Sequence, residues 1–231
     1  MLREWEDLPN FMKCNEVMEY YNIIKKRKIS LILKRLFDLV VSAIMLIILA
    51  IPMAVIATWI KLDSKGPVFY RQERITTYGK RFKIHKFRTM VAGADKIGTA
   101  VTVDGDSRIT KVGAKLRYHR LDEFPQVFDV LSGNMSFVGT RPETVKYVKK
   151  YKPEYLATLL LPAGITSEAS IRYKNEAELL NEAVDVDRVY VEEVLPGKMK
   201  YNLDSIRKFS FIGEIATMFR TVFAVLGKDY E

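Results

Sequence analysis

The chain has 231 residues, with 37 lysines and arginines against 28 aspartates and glutamates, a net charge of +9 and an isoelectric point near 9.4. Such a balance favours anionic partners, whether nucleic acid, lipid headgroups or phosphorylated substrates. The single cysteine, Cys14, excludes an internal disulfide, and two histidines (His85 and His119) without a cysteine cluster leave no zinc site and no basis for a catalytic triad.

In chain order, the first thirty or so residues read as a helical preface, with Val17, Tyr20, Tyr21 and Ile24 at helical spacing. The basic run Lys25–Lys28 that follows reads as a solvated face that would also contact anionic headgroups beside a lipid-embedded helix. Leu39 to Ile60, "LVVSAIMLIILAIPMAVIATWI", then carries no charge over about 22 residues, enough to cross a bilayer. It starts too late for an ordinary signal peptide and no small-residue cleavage pattern follows it. Lys25, Lys26, Arg27, Lys28, Lys34 and Arg35 precede it, and Lys61, Lys65, Arg71, Arg74, Lys80, Arg81, Lys83, Lys86 and Arg88 follow. Positive charge marks the cytoplasmic side, so both ends ask to be inside. A re-entrant helix satisfies this at both ends; a plain kinked transmembrane helix violates it at one. Pro52 would break the helix, because it lacks a donor and clashes with the carbonyl of Ile48. Ser42 and Thr58 are hydroxyl candidates for carbonyls freed there. Asp38, one turn into the segment, would be hydrated or paired with Lys34 or Arg35, and Trp59 would anchor the exit at the interface.

Val68–Ile75 and Arg81–Phe87, joined through Gly79, read as a basic β-hairpin. Arg71, Arg74, Lys83, Lys86 and Arg88 make it a phosphate or headgroup surface, or simply a solubilising face. Val112, Leu116 and Leu121 give a weak helical signal, with Arg117 beside it. Pro125 suits the first turn of a further helix carrying Val127, Phe128, Val130 and Leu131 and ending at Gly133. Asp122 and Glu123 would precede it, as a cap, as ligands of a divalent ion, or with the aspartate as a nucleophile. Gly133 and Gly139 bracket a short apolar stretch, and Arg141 offers a planar fork to phosphate oxygens. "PEYLATLLLPAGIT" clusters Leu156, Leu159, Leu160 and Leu161, and "FIGEIATMFRTVFAVLG" places Ile212, Ile215, Met218, Phe219, Val222, Phe223 and Leu226 at intervals of three and four. Each could lie on the membrane plane or face a core.

The fragments "KRLFDLVVSAIMLIILAIPMAVIATWIKLDSKGPVFYRQERI", "FKIHKFRTM", "DSRITKVGAKLR", "LDEFPQVFDVLSGNMSFVGTRP" and "PAGIT" resemble, in that order, the bacterial sugar transferases, the monotopic polyprenyl-phosphate phosphoglycosyl transferases. The resemblance runs from about Lys34 to the C-terminus and looks like a short form of the family. It implies a mainly helical α+β fold with a re-entrant, non-spanning helix broken at Pro52, a small hairpin and amphipathic interfacial helices around the catalytic domain. The expected division is 1–33 (extension), 34–62 (membrane helix) and 63–231 (catalytic domain). The implied enzyme is a Mg²⁺-dependent phosphoglycosyl transferase on the cytoplasmic face of the bacterial inner membrane. It would move sugar-1-phosphate from a nucleotide diphosphosugar, usually a UDP-sugar, to polyprenyl (undecaprenyl) phosphate, releasing UMP, as the first membrane step of glycoconjugate or polysaccharide biosynthesis. Asp122 would carry a covalent phosphosugar, Glu123 would hold Mg²⁺ with it or orient it, and Arg88, Arg117 and Arg141 would contact phosphates. Membrane lipids are implied partners, nucleic acid is not, and a homo-oligomer is left open.

The chain departs from the family pattern at four places: Thr140 stands in "GTRP" where "GPRP" is usual, Asp129 replaces an asparagine, "ITSEAS" (Ser167, Glu168, Ser170) replaces "ITGLAQ", and Ile51 replaces a serine before the membrane proline. Two other readings compete: a non-catalytic membrane-surface scaffold of the same fold, and a basic nucleic-acid binder, for which no binding motif is present.

Overall fold

A computed structural model of the protein describes residues 2–94, 106–174 and 185–225. Helix α1 (Asn15–Lys25) forms where the spacing predicts it, and Val17, Tyr20, Tyr21 and Ile24 are its buried face. That face packs against a 3₁₀ stretch, Pro153–Leu160, and against a later helix (Leu195–Arg207) in one hydrophobic cluster that also takes in Leu8, Met12, Met199 and Leu203. Each such fully buried apolar side chain contributes roughly 1.5–3 kcal/mol. Pro153–Leu160 is the first of the two stretches read as membrane-plane candidates. Its Leu159 and Leu160 are buried, so it is a core element rather than an interfacial one.

Helix α2 (Lys28–Asp63) is a single element of 36 residues, and its backbone stays helical through Pro52. Pro52 lies inside this element, and hydrogen-bonded helix runs on both sides of it. Phe37, Val41 and Met45 join one hydrophobic cluster while Leu46, Leu49, Met53, Ile56 and Ile60 join another. Ser42 and Thr58 donate to the carbonyls of Leu39 and Ala54, not to that of Ile48.

Polar contacts fasten both ends of α2. Lys34 Nζ donates to the Val138 carbonyl at 2.7 Å and pairs with Glu214. Arg35 donates to the carbonyls of Val130 and Leu131 at 2.8 and 2.9 Å. Asp38 is buried and accepts from the Ser136 hydroxyl (3.1 Å) and the Phe137 amide (3.2 Å), in place of the expected water or neighbouring cations. At the far end Asp63 accepts from the Val112 amide. The opposite face of α2 is apolar and bare, with Ile47 and Ile51 79% and 77% exposed. A helix of this length and composition can cross a membrane, and so large an exposed apolar face fits lipid better than water.

The predicted hairpin forms from β1 (Phe69–Ile75) and β2 (Arg81–Phe87), antiparallel, with Phe69 opposite Phe87. Its turn needs left-handed backbone at Tyr78 and Gly79. Helix α3 (Lys111–Tyr118) is capped by the Thr110 hydroxyl, which accepts from the Gly113 amide. After α4 (Gln126–Leu131) the chain forms β3 (Met135–Val138), which pairs in parallel with β4 (Ala163–Thr166). Helices α5 (Val145–Val148), α6 (Glu168–Arg172) and α7 (Val186–Val189) follow. A π-helical turn at Tyr190–Val194 then leads into α8 (Leu195–Arg207). Helix α9 (Phe211–Val225) keeps the amphipathic character read from the sequence, with Ile212, Phe219 and Val222 exposed; Leu226 of that pattern lies outside the described residues.

Gly113 meets the backbone of Thr89 so closely that a Cβ would lie 2.0 Å from its carbonyl oxygen. Gly113→Ala must push α3 away from the strand exit. It is expected to lower the unfolding free energy by about 1–3 kcal/mol, measured as a fall in Tm of the detergent-solubilised protein.

Candidate active site

Strand β2 and the segment between α3 and α4 build the site. The chain leaves α3 through Arg120, whose φ of +53° is left-handed, and makes a 3₁₀ turn over Leu121–Glu123. Pro125 then leads into α4, so the carboxylate pair precedes that helix as the sequence implies. Along β2 alternate residues face opposite sides. His85 turns to Asp129, and Lys86 turns to Glu123.

Glu123 is largely buried, with 13% of its side chain exposed, and is held from two sides. Lys86 Nζ donates to its Oε1 at 2.8 Å. Arg141, from the loop after β3, donates to Oε1 as well and reaches Oε2 at 3.4 Å. Burial works to raise the pKa of Glu123, but Arg141 and Lys86 outweigh it and hold the carboxyl well below the usual range. Asp122 is the opposite case. Nothing among the described residues donates a hydrogen bond to it. Burial pushes its pKa up and the charge of Glu123 adds to that, while Lys86, Arg117 and Arg141 pull it back only in part. Burial likewise depresses the Lys86 ammonium; Glu123 opposes that and Arg141 reinforces it.

Arg117, half-buried at the end of α3, is therefore brought near Asp122, and Arg141 near both carboxylates. Arg88 is not brought to the pair. Its guanidinium is buried and donates to the carbonyls of Ser64 (2.8 Å) and Lys65, so that it closes the C-terminal end of α2. Arg88 thus braces the chain where α2 ends, while its buried Nε makes no hydrogen bond. Pro52 lies within α2, in the membrane-helix segment.

Three site features were not read from the sequence. In the sequence Lys86 is one of several basic residues of the hairpin, and its place one residue after His85 in an alternating strand is the signal that sets it apart. Arg74 donates to the Pro142 carbonyl at 3.1 Å, and Ile75 to that of Glu143, which fixes the loop bearing Arg141. The buried Glu143 is gripped in turn by the Tyr190 hydroxyl, with the Lys198 ammonium 3.8 Å away. Asp129, one of the departures from the family pattern, is buried and accepts from the His85 backbone amide at 2.8 Å, its other oxygen lying 2.8 Å from His85 Nδ1. His85 is thus a paired residue, and Asp129 fixes the position of the strand that presents Lys86.

No group of three or more histidine, cysteine, aspartate or glutamate side chains gathers among the described residues. Mg²⁺ does not require one, since it binds through one or two carboxylates together with waters and substrate phosphates. The unpaired carboxylate of Asp122 fits that donor set; Glu123 fits less well, its oxygens being taken by Lys86 and Arg141. A free carboxylate ringed by three cations can attack an electrophile that is itself anionic, because the cations offset the repulsion.

Residues 29–228 match the model of a family described as bacterial sugar transferase. The chain is 36% identical over 199 residues to a UDP-glucose:undecaprenyl-phosphate glucose-1-phosphate transferase of Klebsiella pneumoniae, covering 84% of this chain and 40% of that protein. It is 31% identical over 197 residues to a UDP-N-acetylgalactosamine-undecaprenyl-phosphate N-acetylgalactosaminephosphotransferase of Aeromonas hydrophila (84% and 44% covered). It is 33% identical over 200 residues to a glucose-1-phosphate transferase of the first kind from Caulobacter vibrioides (85% and 70% covered). The chain thus spans about two fifths of the length of the first two.

The two carboxylates are expected to affect stability with opposite signs. Glu123 titrates lower in the folded than in the unfolded chain, so its contribution is full above about pH 5 and is lost as pH falls through 4.5 and below. Asp122 titrates higher when folded, so its charge opposes folding at neutral pH and relief comes on acidification. At pH 7, Glu123→Gln should lower the stability by roughly 1–3 kcal/mol and Asp122→Asn should raise Tm, both read from thermal melts at pH 7 and pH 4.

Proposed function

The chain belongs to the bacterial sugar transferase family, and on that footing we propose that it transfers a sugar-1-phosphate from a UDP-sugar to a membrane polyprenyl phosphate. The observation that carries this reading is the asymmetry of the pair: Glu123 is neutralised by Lys86 and Arg141, while Asp122 stands beside it unpaired.

In the proposed reaction the Asp122 carboxylate attacks the phosphorus that bears the sugar. The bond from that phosphorus to the UMP oxygen breaks, UMP leaves, and the phosphosugar stays on Asp122. A phosphate oxygen of the polyprenyl acceptor then attacks the same phosphorus and releases Asp122, giving polyprenyl-diphospho-sugar. Lys86, Arg117 and Arg141 offset the charge that accumulates as anion meets anion. Two steps spare the site from holding the soluble donor and the lipid acceptor together. Glu123 keeps Lys86 and Arg141 in place, and the raised pKa of Asp122 sets the acid limb of activity. Mg²⁺, held by Asp122 with help from Glu123 and the donor's phosphates, would supply further charge neutralisation at the diphosphate. The relatives' names keep UDP and undecaprenyl phosphate while the sugar varies, so the sugar is left open. The product would enter glycoconjugate assembly.

The membrane arrangement is part of the same proposal. At 1.5 Å per residue α2 is about 54 Å long, yet Lys34, Arg35 and Asp38 at one end and Asp63 at the other hold it to the same body of protein. With cations flanking both ends, this supports a monotopic helix whose two ends share the cytoplasmic side. Tags at the two termini should then be reached by protease only from that side; protection of one and cleavage of the other would support a full crossing.

Purified protein in lipid, given Mg²⁺ and undecaprenyl phosphate, should release UMP from at least one UDP-sugar. Asp122→Asn should lose about 10³-fold or more of that activity, and intact-mass analysis should find a donor-dependent phosphosugar adduct that this variant lacks. Absence of turnover across donors would favour a scaffold. Lys86 pulls the pKa of Asp122 down. Lys86→Met should therefore move the acid limb of the kcat/KM profile to higher pH.

A further inference from the structure

The largest cavity among those described, about 370 Å³, lies beside the loop that bears Arg141 and is bounded by β3, α6, α8 and α9. Thr140 is in its wall, and the next residue, Arg141, is the guanidinium on Glu123. A second, much smaller hollow, with Arg141 itself in the wall, shares Thr140 and Ser167 with it. The volume falls in the range of small-ligand sites, and the mechanism above makes no use of it.

Its chemistry excludes an anion trap. The cations Arg172, Lys208 and Arg220 are matched by the anions Glu168, Asp204 and Glu214. They are also paired off: Glu168 with Arg172 and Arg220, Lys208 with Asp204, and Glu214 with Lys34. A phosphate would find no uncompensated charge there. A neutral group rich in hydroxyls would find carboxylates, hydroxyls and the ring of Tyr201, over which the Arg172 guanidinium sits at 5.8 Å.

One atom in the wall has an ion-pair partner but no aligned hydrogen bond. Glu168 Oε2 is buried and accepts no hydrogen bond, although Arg220 Nη1 stands 2.9 Å away in poor alignment. Such an oxygen is costly unless something donates to it. Residues from two of the four departures from the family pattern, Thr140 and the pair Ser167 and Glu168, also meet at this one cavity. The sugar is the part of the donor that the proposed function leaves open.

We infer that this cavity receives the sugar ring of the donor, with Glu168 accepting hydrogen bonds from its hydroxyls and acting as a specificity-determining residue. The inference rests on the phosphoglycosyl transferase reading. It places the diphosphate towards Arg141 and the sugar beyond Thr140.

The test compares kcat/KM for UDP-glucose, UDP-galactose, UDP-N-acetylglucosamine and UDP-N-acetylgalactosamine in wild type, Glu168→Gln and Glu168→Asp, each in lipid with undecaprenyl phosphate. The expected result is a change of about tenfold or more in the ratio between the preferred donor and the next, carried mainly by KM. Glu168→Asp should keep part of the preference. A ratio unchanged within about twofold in both variants, with all donors slowed alike, overturns the inference and leaves the transferase reading standing. Should Glu168→Gln not fold, as read by its melt, the Glu168→Asp ratio decides. No UMP release from any donor by wild type overturns the transferase reading, and the inference with it.

Discussion

A carboxylate as buried as that of Glu123 is tolerable only if cations are brought to it, and most of the site follows from that demand. Lys86 arrives from the second strand of the hairpin and Arg141 from the loop after β3, so one charge ties together two parts of the chain that share no sheet. The tie is costly to break, because removal of one member strands the others away from water. It is also selective. With Glu123 satisfied, Asp122 is left as the carboxylate that has charge around it and no bond to it, the state that the proposed reaction asks of its nucleophile.

The membrane helix is built into this arrangement rather than attached to it. Arg35 holds the last carbonyls of α4, whose first turn follows the carboxylate pair, and Asp38 holds the start of the β3 stretch that leads to Arg141. At the other end Arg88, two residues beyond Lys86, closes α2. Any tilt of α2 must therefore pass into the elements that carry both carboxylates and both of their cations. In the proposed reaction this fixes the depth of the nucleophile relative to a lipid phosphate.

Local pattern made much of this legible. The helical spacing of Val17 to Ile24, the alternation of the hairpin, Pro125 before α4 and the long uncharged run each rest on signals within a few residues, and each element forms there. What could not be read depends on distant partners. The two clusters that pack against α2 before and after Pro52 are built from residues far away in the chain. The bonds of Arg88 to the chain just past α2 likewise join segments more than twenty residues apart. The leucines of Pro153–Leu160 could face lipid or core, and only the docking of α1 decides for the core. Lys86, Arg74 and Glu143 gain meaning only from residues 37 to 68 positions away.

The N-terminal residues dock into the core although they precede the stretch that the family model matches. The family match begins at residue 29, yet Leu8, Met12, Val17, Tyr20, Tyr21 and Ile24 lie wholly inside the cluster that Leu160, Met199 and Leu203 complete. A boundary drawn at the start of that match therefore runs through a hydrophobic interior. A fragment trimmed to the shared region would present the undersides of those leucines and that methionine to water, a sticky surface that belongs to neither the membrane nor the chemistry. For this chain the stretch that the family model matches is smaller than the unit that packs together.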